Sequence, residues 1–186
     1  EFLDLVAYLE RQKAVGAVRK DGWISLQHRE KPKLGKHGEY GEISRDAAIQ
    51  LGRSMTNRIW HEDAHLLLSD LPSSGLDFVF HSAHDATNPA ITIRLANESE
   101  ISHIWLQNRL ASQFHERAKG LAIWTSIDGK QFNKVWTSQD TPAEWSIDLP
   151  QGTRARYVRI GIDGKGTFHL NRAVIYGKSL DVGLCH

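Results

Sequence analysis

The chain has 186 residues, 40% of them hydrophobic and 24% charged, with 23 Lys and Arg against 22 Asp and Glu. That is apolar material enough for one globular core but too little chain for two full domains, and it excludes intrinsic disorder. A net charge of +1 with histidines neutral makes no field that would gather nucleic acid or acidic lipid, so neither nucleic acid nor membrane insertion is expected.

The single cysteine, Cys185, excludes an intrachain disulfide, so packing has to hold the fold. The opening Glu1-Phe2-Leu3-Asp4 lacks the basic start and the small-residue cleavage site of a secretory signal, and a start on Glu reads as a processed product or an excised piece. No apolar run approaches the ~20 residues of a transmembrane helix.

From Phe2 to Ala14, Phe2, Leu5, Val6 and Leu9 recur at helical spacing among charged residues, which predicts a short amphipathic helix with Gly16 as its cap. Gly22 to Gln27 alternates as a strand does, either extending a main sheet or belonging to a separate unit. Lys31 to Gly41 is a loop rich in Gly and Lys. These features divide the chain into an N-terminal extension (1–41), a main domain (42–178) and a C-terminal tail (179–186).

From Pro89 onward, short runs of period two alternate with turn residues, the pattern of an all-β sandwich or barrel. Ala90 to Leu95, Ile101 to Gln107, Leu121 to Ile127, Phe132 to Trp136, Trp145 to Leu149, Tyr157 to Ile162 and Phe168 to Tyr176 read as separate strands. Asp128-Gly129 favours positive φ angles and predicts a tight hairpin turn.

The order and content of these strands resemble the discoidin family, which includes coagulation-factor C domains and many bacterial carbohydrate-binding modules. Four places carry the resemblance: Phe78-Val79-Phe80-His81 leading to Asn88-Pro89 and Arg94-Leu95; Ile104 to Arg109; Glu116-Arg117-Ala118 with Ser126 to Gly129; and Ala155 to Ile160 closing on Val174 to Gly177. It implies an antiparallel jelly-roll β-sandwich of the galactose-binding-like kind, here with the short N-terminal helix added. The function it implies is lectin-like: non-catalytic recognition of a glycan or cell-surface glycoconjugate by an extracellular or periplasmic, secreted protein. A protein-protein interaction domain within a larger exported assembly is the alternative, with a protein partner.

Family members often hold a structural calcium in an early loop, with an acidic residue near the last strand. Asp70 and Asp77 around Ser73-Ser74-Gly75 offer oxygen donors of the right kind, but Arg172 stands where the acid is expected. Arg172 there argues against calcium, so no cofactor is expected, a structural calcium being the weaker reading.

His61-Glu62-Asp63-Ala64-His65 matches the zinc-protease pattern, in which two histidines one helical turn apart bind metal and the glutamate activates water. It needs a helix and a third protein ligand, and ten histidines make a chance match common. The resemblance puts the stretch in the variable first segment of the sandwich, so loop histidines are expected here, with zinc proteolysis the weaker reading.

For ligand binding the expected groups are Trp60 and His61 in the first loop, His81, His84 and Asp85 in the next, and Asn108, Arg109, His115, Glu116 and Arg117 in the third. Such side chains are costly to bury without partners, which predicts that they face solvent together at one end of the sandwich. Glu116 and Arg117 have a competing use, pairing with each other or with backbone to hold their loop. Four of the tryptophans, Trp105, Trp124, Trp136 and Trp145, fall inside strands and are read as core or its cover.

Overall fold

The computed structural model describes residues 15–21, 23–28, 40–44, 47–51, 64–68 and 77–180. The helix expected over Phe2 to Ala14 lies outside these residues, as do Trp60, His61, Glu62, Asp63 and Asp70. Val15–Lys20 (β1) and Trp23–His28 (β2) make an antiparallel hairpin. Gly16 is therefore not a helix cap: it sits inside β1 opposite Gln27, where β2 supplies the ladder that satisfies the local backbone. Gly41–Glu42 (β3) and Ala48–Leu51 (β4) follow, and β4 pairs with β2 through Ile49 opposite Ile24. The alternating stretch at Trp23 thus extends the main sheet.

Phe80–His81 (β5) and Ala86–Thr87 (β6) lead into Ala90–Gln107 (β7), one continuous strand where the sequence pattern reads as two. After it come Leu121–Ser126 (β8), Asn133–Thr137 (β9), Glu144–Asp148 (β10) and Arg154–Ile162 (β11). Lys165–Gly166 (β12), His169–Leu170 (β13) and Arg172–Ser179 (β14) close the chain's described part. The β8–β9 connection is wider than the expected tight turn. Gly129 does take a positive φ of 73°, but the Asp128 carboxylate organises a six-residue loop by accepting from the Lys130 and Gln131 amides at 2.8 and 3.0 Å.

β7 serves two layers. Its first half pairs with β4 and β11, building the order β1-β2-β4-β7-β11-β8-β9, whereas its second half pairs with β10 and β14, and β14 with β3. Between the halves, the partner of β11 jumps from Arg94 opposite Tyr157 to Ser99 opposite Ala155, the kind of corner by which one strand crosses between packed sheets. All described pairings are antiparallel, and the architecture is the all-β sandwich expected from the strand pattern.

The core fills the space between the layers. Ile91, Ile93 and Leu95 face inward from the first half of β7, and Ile101, Ile104 and Leu106 from the second. Val158 and Ile160 of β11, Leu121 and Ile123 of β8 and Ile175 of β14 meet them, while Phe80 and Phe168 pack ring to ring at 5.4 Å. Trp145 is buried as expected and donates its indole N–H to Ser138 Oγ at 2.8 Å. Each such side chain contributes roughly 1.5–3 kcal/mol by leaving water.

The inward positions of β7 shift parity between Ile101 and Ile104, because the ladder with β14 slips between Tyr176 and Gly177 and leaves Ser102 in a bulge. Gly177 is required there: a Cβ on it would overlap the Glu100 carbonyl. Gly177→Ala is expected to lower stability by about 1–3 kcal/mol, the usual cost of forcing backbone apart in a packed sheet, as read by urea denaturation. An unchanged midpoint would mean that the two strands do not approach this closely.

Candidate functional site

The chain on either side of β7 meets at one end of the sandwich. Asp77, just before β5, accepts from the Leu110 amide through its carbonyl at 2.8 Å and from Arg109 Nε through its carboxylate at 2.6 Å. The Arg109 guanidinium also lies over the rings of Phe78 and Phe114, at 4.8 and 4.1 Å. Phe114 belongs to a 3₁₀ turn, Ser112–Ala118, and carries Arg117 over its ring at 4.7 Å. Arg117 reaches across to β13 and donates from Nη1 to His169 Nε2 at 3.2 Å.

Three imidazoles join this group. The His169 and His81 rings are 4.5 Å apart, and His84 approaches His81 at 5.6 Å, with Phe78 packed against His81 at 5.0 Å. His81 is buried and donates Nδ1–H to the Ser82 carbonyl at 2.5 Å, while His84 is exposed. His169 is fully buried. Because Arg117 can only donate, Nε2 of His169 accepts and its proton sits on Nδ1, which has no hydrogen-bond partner among the described residues. Burial, reinforced by His81, Arg109, Arg117 and His84 nearby, pushes the His169 pKa down to about 3. Burial likewise lowers that of His81, partly countered by its bond to Ser82. The cluster is a cationic, ring-lined end whose inner histidines stay neutral.

Within it the expected ligand groups divide into framework and surface. Asn108 is fully buried, giving Nδ2–H to the Pro142 carbonyl at 3.0 Å and accepting from the Arg109 amide at 2.8 Å. His115 is half-buried and donates Nε2–H to the Arg109 carbonyl at 2.7 Å. The expectation that these polar groups all face solvent fails for Asn108 and His81, since each finds partners that remove the cost of burial. The expected pairing of Glu116 with Arg117 is also replaced: Glu116 is exposed and accepts from the Thr141 hydroxyl at 3.2 Å, leaving Arg117 to His169. Asp85 is exposed at a φ of 51°, its amide donating to Thr167 Oγ1 at 3.3 Å.

Three contributors escaped the sequence reading. His169 looks like one more residue of a strand, and only its neighbours Phe168 and Asn171 hint at a break. Phe114 is an aromatic inside a polar loop, a signal that was available. Leu110, 56% exposed beside Arg109, is visible as an outlier only once burial is known.

Asp77 is neutralised by Arg109, and the Arg172 guanidinium lies 5.7 Å from the Trp105 ring centre. Among the described residues no three His, Cys, Asp or Glu side chains converge on a point, and the loop that carries Asp70 lies outside them. Of the zinc-protease pattern, only Ala64 and His65 fall among the described residues, at the start of a 3₁₀ turn, Ala64–Leu68, in which Leu66, Leu67 and Leu68 are buried.

Two outcomes test this arrangement. Between pH 6.5 and about 3 the unfolded chain binds a proton that folded His169 refuses, so its contribution to stability is complete above 6.5 and lost as pH falls through that window. Thermal melting should show a loss on the order of 2 kcal/mol from this residue by pH 5, and His169→Gln should flatten the dependence. Arg109→Ala should cost about 1–3 kcal/mol by leaving Asp77 and two ring faces uncovered, whereas His84→Ala should leave the melting temperature nearly unchanged.

The fold has many solved counterparts. A fucolectin from striped bass serum superposes with a TM-score of 0.61 at 18% identity, covering 76% of this chain and 48% of that one. The family 32 carbohydrate-binding module of Streptococcus pneumoniae EndoD gives 0.56 at 11% identity, covering 74% and 100%. A Clostridium perfringens family 32 module solved with GalNAc-β-1,3-galactose gives 0.53 at 15% identity, covering 73% and 99%. No curated protein matches the chain by sequence. Residues 53–173, which include β5 to β13 and the whole cationic cluster, match the F5/8 type C domain, and the chain belongs to that family.

Proposed function

We propose that this chain is a non-catalytic carbohydrate-binding module that takes a glycan or cell-surface glycoconjugate at the cationic end of the sandwich, as part of an extracellular or periplasmic protein. The observation that carries the reading is Arg117. Its guanidinium is half-buried, and its partners among the described residues are an imidazole and a phenyl ring, with no carboxylate to neutralise it. A guanidinium held flat in this way offers several fixed donors to adjacent sugar hydroxyls. Exposed His84 and Asp85 add a donor and an acceptor, and exposed Leu110 adds an apolar contact on the same loop as Arg109. Asn108, Arg109 and His115 act as framework, holding that loop through Pro142, Asp77 and each other.

The carbohydrate class is supported by kinship and by chemistry together. The solved counterparts include carbohydrate-binding modules and a fucolectin, and the site's mixture of donors, acceptors and one apolar group suits hydroxyl-rich ligands. The serine beside the inner imidazoles, Ser82, is buried and committed to the backbone, its hydroxyl donating to the Ala83 carbonyl at 2.9 Å and accepting from the Phe168 amide at 2.8 Å.

A glycan array spanning fucose-, galactose- and N-acetylgalactosamine-terminated structures tests the reading. Binding to at least one class is expected. In calorimetry with that ligand, His84→Ala and Arg117→Ala should each weaken affinity by about 1–3 kcal/mol. Silence across the array together with a recovered protein partner would favour an interaction domain in a larger assembly.

A further inference from the structure

The outer face of the second layer carries a groove remote in character from the cationic end. It is shallow and open, about 490 Å³, and lined by His103, Trp105, Arg172, Val174 and Tyr176. The registers of β7 with β14 and β10 arrange its surroundings in three rows: Tyr176, His103 and Asp148; Val174, Trp105 and Ser146; Arg172, Gln107 and Glu144. Rows on one strand face recur every ~6.8 Å, so the three span about 14 Å along the strands. That is long enough for several sugar rings in line and too long for one.

We propose that this groove is a second carbohydrate site, one that takes an internal stretch of a neutral polysaccharide chain. The inference rests on the reading of the protein as a glycan binder but not on where its loop site lies. Val174, buried, forms the floor, and the two aromatics, Trp105 half-buried and Tyr176 exposed, stand in successive rows on neighbouring strands. Aromatic faces in this setting suit the C–H faces of successive sugars. The rims supply both hydrogen-bonding senses that hydroxyls need. His103 gives Nδ1–H to Asp148 at 2.8 Å and accepts from the Ser146 hydroxyl at 3.3 Å, and Gln107 gives Nε2–H to Glu144 at 3.2 Å. Glu144, Ser146 and Asp148 are exposed.

Charge and size select this occupant over others. Glu144 and Asp148 on one side face Arg172 on the other, so an anionic chain would meet two carboxylates for one guanidinium. A stable protein interface buries roughly 800 Å² per partner, far more than a groove floored by one valine and flanked by two rings provides. Two other aromatics have closer ionic cover: Phe132 lies under Arg159 at 3.7 Å and Trp23 under Arg94 at 4.6 Å. Trp105 lies 5.7 Å from the Arg172 guanidinium, a looser contact.

The experiment is affinity electrophoresis of the whole chain through gels holding laminarin, xylan or galactan, run beside the glycan array. Retardation by at least one polysaccharide is expected. Tyr176→Ala, at an exposed position, and Trp105→Ala should each weaken it roughly tenfold or more, while leaving array binding intact; His84→Ala should do the reverse. Should Trp105→Ala unfold, the Tyr176 variant decides alone. Array binding without retardation, or retardation indifferent to Tyr176, overturns the groove, and so does a dimer in sedimentation that Tyr176→Ala dissociates. Silence toward every saccharide overturns the proposed function along with it.

Discussion

The feature on which most of this structure depends is the bulge at Ser102. A strand alternates its side chains with a period of two, so a single extra residue exchanges the inward and outward sets for everything beyond it. Before the bulge, Ile91, Ile93, Leu95 and Ile101 are buried; after it, Ile104 and Leu106 are. Without the slip, the second half of β7 would turn Trp105 and His103 toward the core and two aliphatic residues toward water. The bulge is accommodated because β14 offers Gly177 where a Cβ cannot fit, and because the Ser102 carbonyl accepts from the Leu149 amide at 3.0 Å. The same residue also fixes what the outer face displays.

The corner earlier in β7 has a different consequence. By letting one strand belong to both layers, it returns the chain after Gln107 to the neighbourhood of the segment before β5, which is how Asp77 meets Arg109 across 32 positions of sequence. That pair then organises the end of the sandwich. With its charge answered by Asp77 and its plane held between Phe78 and Phe114, Arg109 cannot move freely, and Arg117 stacks on the same ring. Burial, reinforced by the two guanidiniums, keeps His81 and His169 neutral beside them. A protonated imidazole there would add charge to a place that is already cationic and poor in water.

The two surfaces therefore differ in physical kind. The loop end holds two guanidiniums over rings and displays Arg117 with exposed His84 beside it, an arrangement that favours few, directed hydrogen bonds. The sheet face is long and carries two carboxylates for one guanidinium, with its polar groups engaged in side-chain networks, so contact there is spread over rows. In both, the rigid elements are strands and the adaptable ones are side chains at their margins.

Much of this was readable from residues alone. Alternation in Trp145 to Leu149 and in Tyr157 to Ile162 demanded half-buried strands, and the lack of a disulfide demanded a packed core; both are consequences of local chemistry that no distant neighbour can undo. The family resemblance likewise rested on short segments in a fixed order. What local pattern could not carry were facts about distance. Whether Asn108 is a ligand group or a buried anchor depends on Pro142, and whether Arg109 is free depends on Asp77, partners 34 and 32 residues away. His169 reads as a strand residue until Arg117 and His81 are brought against it. Even the joining of Ala90 to Leu95 with Ile101 to Gln107 into one strand required β11 to hold both sides of the corner. Periodicity determined which residues wished to leave water; only the tertiary structure decided which polar groups could follow them, because burial of a polar group is tolerated only where a partner from elsewhere in the chain is waiting.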